Sequence, residues 1–151
     1  MGKILKKSSI TKPNPKLHWY SIKEKFEYSS GYHAKVRDIL LTNEFKNLEI
    51  FQEVPLSDLV DTNAVLYLDF WIKTFGVGIE VQGEQHYRPV SFGNVSAKMA
   101  IERFQKQEKN DNLKRKLLEE NGFKLVTISY LEVKDLNYEK LMLLFRSAIR
   151  G

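Results

Sequence analysis

The amino-acid sequence predicts a mixed α/β domain in which helices flank a mixed β-sheet, in the order helix, three strands, long helix, strand, helix (α-β-β-β-α-β-α). Three observations carry this. Residues 65–72 and 77–82 are rich in β-branched and aromatic side chains on either side of a short turn, the pattern of an apolar hairpin. A long polar stretch with helical apolar spacing, about 97–121, separates that hairpin from another apolar run, FKLVTISY at 123–130. A strand reached through a crossover helix points to a parallel pair, whereas a tight turn joins antiparallel strands.

Bulk properties fit one domain with one core. The chain has 151 residues, 42% hydrophobic and 28% charged, which suits a globular protein rather than a disordered one. No apolar run approaches the roughly 18 residues needed to span a bilayer, and the basic start MGKILKKSS is not followed by a secretory apolar segment. The expected partners therefore include no membrane. The expected location is the cytoplasm, that of a host cell if the source is viral. The absence of cysteine excludes disulfides and thiolate metal sites, and three histidines are too few for an all-histidine zinc site. The net charge of +5 has a definite location: residues 1–19 hold Lys3, Lys6, Lys7, Lys12 and Lys16 and no acid, the whole of the excess. We read 1–19 as a basic, flexible arm and 20–151 as the single domain. Such an arm either lies along a polyanion, releasing counterions, or is a solubilising tail.

Taken in order, the arm ends where Trp19 can dock on the domain. Val36, Ile39 and Leu40 recur at helical spacing behind Ser29-Ser30-Gly31, predicting a first helix in the second half of 20–43. Leu48 to Val54 is a first strand, closed by Pro55. The hairpin follows, then a loop with Pro89 and Gly93. Ser96 or Asn94 caps the long helix, and Gly122 stops it. The inward positions expected of that helix are Ile101, Phe104, Leu113, Leu117 and Leu118. Asp111 rides the same stripe, so it marks a bend or aims at a site. Asn137 caps a last helix with Leu141, Leu144, Phe145 and Ala148 facing in.

Within the hairpin, Asp69, Glu80 and Gln82 stand where burial should exclude them, and a polar group inside a strand needs a partner or a task. If the turn is Lys73 to Gly76, Ile72 pairs with Val77 and paired numbers sum to a constant. Asp69 then lies opposite Glu80, and Tyr67 opposite Gln82. Alternation puts Tyr67, Asp69 and Trp71 on one face. Opposed residues have Cβ atoms roughly 4.5–5.5 Å apart, close enough for two carboxylates to share a divalent cation. Without one, the acids repel and one keeps its proton; a hard cation such as Mg²⁺ resolves the conflict.

The segments LDFWI, IEVQGEQHY and NDNLKRKLLEENGFKLVTISY together resemble the PD-(D/E)xK restriction-endonuclease-like nucleases. The resemblance is to the branch containing the very short patch repair endonucleases and related phage homing endonucleases. In that branch a strand ending Asp-Phe precedes Ile-Glu-x-Asp-Gly-x-x-His, then a helix with Asp-x-x-Lys and a final strand. The resemblance spans about residues 30–131 and is strongest over 79–87.

It implies a restriction-endonuclease-like core and a metal-dependent endonuclease that hydrolyses DNA phosphodiester bonds. The alternatives are a structure-selective nuclease on branched DNA or a catalytically inactive DNA-binding module. By the same resemblance Asp69 and Glu80 bind Mg²⁺, with Mn²⁺ as substitute and the Val81 carbonyl as a further ligand. His86 acts as general base or holds the attacking water, and Asp111 orients His86 or a water. Gln82 stands where the superfamily often has Lys and this branch often Asp; an amide can orient water but cannot serve as a base. The branch's first-helix glutamate aligns with His33, with Glu53 on the first strand as a substitute. Its repair enzymes carry a structural zinc held partly by cysteine, which this chain cannot build.

For DNA, Lys114 lies one turn past Asp111 and can reach a phosphate near the metal. Arg88, Lys98, Lys6 and Lys7 are candidates for backbone contacts, which position DNA without reading it. A single small domain leaves little surface for reading bases, so a homodimer or an additional DNA-recognition chain is the expected further partner. Singly, each residue also has an ordinary reading. Asp69 can end a strand, Glu80 can pair with Arg88 or Lys73, His86 can be a loop histidine, and Trp71 can be core rather than a base-stacking platform.

Overall fold

A computed structural model of the chain describes residues 5–6, 19–24, 26–27, 31–90 and 96–151. At its centre is the hairpin of β5 (Tyr67–Ile72) and β6 (Val77–Gln82) around a turn at residues 73–76. Ile72 pairs with Val77, Trp71 with Gly78 and Phe70 with Ile79, the register expected from the sequence. Gly76 closes the turn at φ 64°, a conformation that strains any residue with a Cβ.

β4 (Ile50–Pro55) pairs antiparallel with β5, and β2 (Tyr20–Ser21) adds an antiparallel edge to β4. β7 (Lys124–Ser129) runs parallel to β6, giving a five-stranded mixed sheet in the order β2-β4-β5-β6-β7. Two further short strands, β1 (Leu5–Lys6) and β3 (Phe26–Glu27), pair in parallel apart from this sheet. The rest of the expected arm lies outside the described residues. Trp19 does dock: its indole Nε1 donates to Asp58 at 2.9 Å, and its ring meets Phe51 edge-on.

Helices cover both faces. α1 (Gly31–Leu40) and α4 (Tyr138–Arg150) bury Val36, Leu40, Leu141, Met142 and Phe145 against Phe70, Ile72, Val77, Ile79 and Val81. On the other face, Leu118 of α2 (Ala97–Glu120) packs with Val54, Leu56, Leu68 and Trp71. Ser96 caps α2 by accepting from the Met99 amide, and Gly122 ends it at φ 79°. The helix runs unbroken through Asp111, so that residue marks no bend. Ile101 and Leu113 are exposed, 47% and 37%, against expectation. Beside Leu113 it is Lys114 that turns to the sheet, reaching Tyr67 and Glu80. A short helix α3 (Tyr130–Lys134), absent from the expected order, begins at Ser129 with a reciprocal Ser129–Glu132 capping box. No described helix is long and apolar enough to cross a membrane.

One irregularity positions the site. The β4–β5 ladder keeps one register from Ile50↔Ile72 to Pro55↔Tyr67 but is interrupted between Gln52↔Phe70 and Val54↔Leu68, at Glu53 and Asp69. Glu53 is buried at φ 51°, in the left-handed region that non-glycine residues rarely occupy. Ile50 and Phe70 on one side of this interruption face α1 and α4, whereas Val54 and Leu68 beyond it face α2. The strict alternation expected along β5 therefore fails at Asp69, where the strand changes the layer it feeds. Trp71 is core: it is 3% exposed and meets Phe123 edge-to-face at 5.1 Å.

Candidate active site

Asp69 and Glu80 meet where β5 and β6 part, each only 6% exposed. The Asp69 main-chain N–H donates to Glu80 Oε2 at 3.0 Å, and the Val81 N–H donates to Asp69 Oδ2 at 2.8 Å. Each carboxylate thus receives an amide from the other's strand, in place of the carbonyl that a continued ladder would supply.

Both helical layers reach this pair. His33 lies three residues before Val36 and shares its inward face; its Nε2 stands 3.3 Å from Asp69 Oδ1. From the opposite layer, Lys114 forms a buried ion pair with Glu80 Oε1 and donates to the Tyr67 carbonyl at 2.8 Å. Lys114 therefore points into the protein at the carboxylates, not outward as a free phosphate contact. Nor does Glu80 pair with Arg88 or Lys73, which turn to Glu84 and Glu49.

The electrostatics follow from this crowding. Burial, then the Asp69 charge, pushes the Glu80 carboxyl up to about 8, against the pull of Lys114. Burial works against the Lys114 ammonium, but Glu80, then Asp69 and Asp111, outweigh it and hold that group above its ordinary range. Glu80, Asp69 and Lys114 form one coupled unit in which two acids face one ammonium.

A second pair stands beside it. His86, on a short helical turn after β6, has Nδ1 2.8 Å from Asp111 Oδ2, and Gln107 Nε2 donates to Asp111 Oδ1 at 3.0 Å. A carboxylate accepts, so neutral His86 donates from Nδ1 and presents its Nε2 lone pair. Asp111 and Lys114 are three residues apart on α2, a rise of about 4.5 Å. One helical turn thereby links the histidine pair to the carboxylate pair. Gln82 accepts from the Tyr87 hydroxyl at 2.7 Å.

Of the residues named from sequence, the structure brings together Asp69, Glu80, Val81, His33 and Lys114, and joins His86 to Asp111. Glu53, on β4, stands across from Asp69 at the interruption of the ladder. Arg88 is exposed and paired with Glu84, and Lys98 is exposed in the first turn of α2. Lys7 lies outside the described residues, and Lys6 is described only as part of β1. Gln107 was missed, although its place four residues before Asp111 puts it on the same face. Among the described residues, no three His, Cys, Asp or Glu side chains gather into a metal cluster. The available donors are two carboxylates and main-chain oxygens.

No family model matches the chain. A stretch of 76 residues is 38% identical to an uncharacterized protein, 094L, of Frog virus 3 (isolate Goorha). The match covers 50% of this chain and 46% of that protein, so the chain spans about half the length of the relative it matches.

Proposed function

We propose that this chain is a metal-dependent endonuclease that hydrolyses DNA phosphodiester bonds, built on a restriction-endonuclease-like core. The observation that carries the reading is the buried Asp69–Glu80 pair, met by Lys114 from one helical layer and His33 from the other. A purely structural pair of this kind is hard to justify. Burying two acids side by side costs stability that neutral acceptors at the same positions, able to take the same two amides, would not.

The donors suit Mg²⁺, with Mn²⁺ as substitute: both are hard cations that take carboxylate and carbonyl oxygens, and Mg²⁺ needs only one or two carboxylates because it retains water. The strain that raises Glu80 is of the sign a dication would relieve. Asp69 and Glu80 would hold the ion, with the Val81 carbonyl as a further donor. Bound there, it would supply Lewis-acid neutralisation of the phosphodiester charge.

The chain's own residues account for the rest. His86 Nε2 accepts the proton of the attacking water as general base, while Asp111 fixes the imidazole tautomer and Gln107 steadies Asp111. Gln82 hydrogen-bonds water without taking its proton. The Lys114 ammonium, entering from α2 and paired with Glu80, supplies beside the carboxylates the positive charge that Gln82 lacks at its own position. His33 orients Asp69. Arg88, Lys98 and the arm lysines contact the DNA backbone.

Supercoiled plasmid incubated with Mg²⁺, Mn²⁺ or EDTA tests this. Metal-dependent nicking or linearisation that is lost in Glu80→Ala supports the reading. An uncut plasmid that the protein still shifts in a salt-sensitive way overturns it in favour of a DNA-binding module without cleavage.

A further inference from the structure

A cavity of about 340 Å³ opens beside the histidine pair, between the turn that carries His86 and the first half of α2. Its walls include Gln85, Arg103, Phe104, Lys106, Gln107 and Asn110. The size falls at the lower end of small-molecule pockets, roughly 300–1,000 Å³. Its chemistry is one-sided. No acid lines it, two cations do, and no described acid pairs with either Arg103 or Lys106. The other cations near the site are engaged: Lys114 with Glu80, Arg88 with Glu84, Arg115 with Glu119. Beside the cations stand three amides, able to donate and accept, and one aromatic ring.

We propose that this cavity binds one nucleotide of the substrate strand, an assignment that rests on the nuclease reading of the neighbouring site. Arg103 and Lys106 take its phosphate, Phe104 meets the face of its base, and Gln85 and Asn110 meet the base edge. Cation, aromatic ring and amide are the groups that hold an unstacked nucleotide: charge for the phosphate, a π face for the ring, donors and acceptors for its edge. Placement supports the assignment. Arg103, Gln107, Asn110 and Lys114 follow one another at three- and four-residue intervals, as do Phe104, Gln107, Asp111 and Lys114, so the two overlapping sets form one stripe of α2. Gln107 belongs to both sites, as it lines the cavity and donates to Asp111. Phe104 lies seven residues from Asp111, about 10 Å along the helix. Duplex DNA advances about 3.4 Å per nucleotide. The stripe thus seats a nucleotide about three positions from the bond being cut and gives the small domain one point of base selection.

The test follows main-chain amide NMR signals of the full chain during titration with each deoxynucleoside 5′-monophosphate, with the matching nucleoside and with inorganic phosphate. Kinetics of oligonucleotide cleavage are measured in parallel. Saturable shifts are expected at Gln85, Arg103, Phe104 and Asn110, with nucleotides binding more tightly than nucleoside or phosphate. Arg103→Gln and Phe104→Leu should each weaken binding about tenfold and raise KM by a similar factor with kcat retained. Equal response to inorganic phosphate overturns the assignment in favour of an anion site. Wild-type binding by both variants overturns it outright. Arg103 is exposed, so its variant keeps the test valid if the Phe104 change disturbs folding. The two readings fail separately: without cleavage the NMR titration still decides the pocket, and with no pocket the Glu80-dependent cleavage remains.

Discussion

Replacing Asp69 by Asn should destroy cleavage and, in the absence of divalent metal, stabilise the fold. The isostere keeps the geometry: its carbonyl oxygen can accept from the Val81 amide, and its NH₂ can face His33, both of them partners of Asp69 now. What disappears is the charge pressing on Glu80. The rise of that carboxyl from 4.5 to about 8 corresponds to about 5 kcal/mol lost at alkaline pH, at about 1.4 kcal/mol per tenfold in proton affinity. Burial is the larger cause and Asp69 the next, so the part of that loss that the variant recovers is smaller than the part that burial keeps. The sign follows from the raised folded value. Stability from Glu80 is full below pH 4.5 and fades as pH climbs through about 8. The variant's advantage should therefore be small at pH 5 and reach its full size at pH 9. Urea unfolding in EDTA at both values measures it. Saturating Mg²⁺ should then reverse the ranking, since a ligand at one hundred times its Kd adds about 2.7 kcal/mol to whichever protein binds it. An Asn variant destabilised equally at both pH values would refute the coupling of the two acids.

Other perturbations separate the remaining parts. Asp111→Asn frees the His86 tautomer and should lower kcat about 10²- to 10⁴-fold with the melting temperature nearly unchanged, read from plasmid cleavage beside thermal unfolding. Lys114→Met leaves the Tyr67 carbonyl without its donor and raises Glu80 further, so unfolding free energy should fall by about 1–3 kcal/mol, more at pH 9 than at pH 5. Gly76→Ala meets both a φ of 64° and the Phe123 ring, whose Cδ1 lies 2.9 Å from the added Cβ. It should cost about 1–3 kcal/mol in urea unfolding with little effect on kcat.

The hairpin register and the caps at Ser96 and Asn137 were legible because each is set within a few residues, by turn length or by a side-chain oxygen beside a free amide. Asp69 and Glu80 were legible as polar breaks in an apolar hairpin and Asp111 as an acid on an apolar helical stripe, whereas the pairing of Asp111 with His86 was suggested by the family resemblance. The change of layer at Glu53 and Asp69 was not, since it depends on how two strands bulge together, and no local pattern marks a glutamate at positive φ. The inward reach of Lys114 was equally hidden: on the helix surface it looks like its neighbours Arg115 and Lys116, and only the crossing of α2 over β6 turns it toward Glu80. The capping box at Ser129 and Glu132 was written plainly in the sequence and marks α3.

The exchange of main-chain amides between Asp69 and Glu80 bears on how such a chain could drift. If the proposed chemistry holds, these acids are both its metal donors and the last fasteners of the hairpin, so selection for folding and selection for chemistry act on the same oxygens. A descendant released from the chemistry would not be free to fill these positions with Ala or Val, because two buried amides would be left without acceptors. It should retain Asn, Gln or Ser there. Among relatives of this fold, the outline of the site would then outlast its activity.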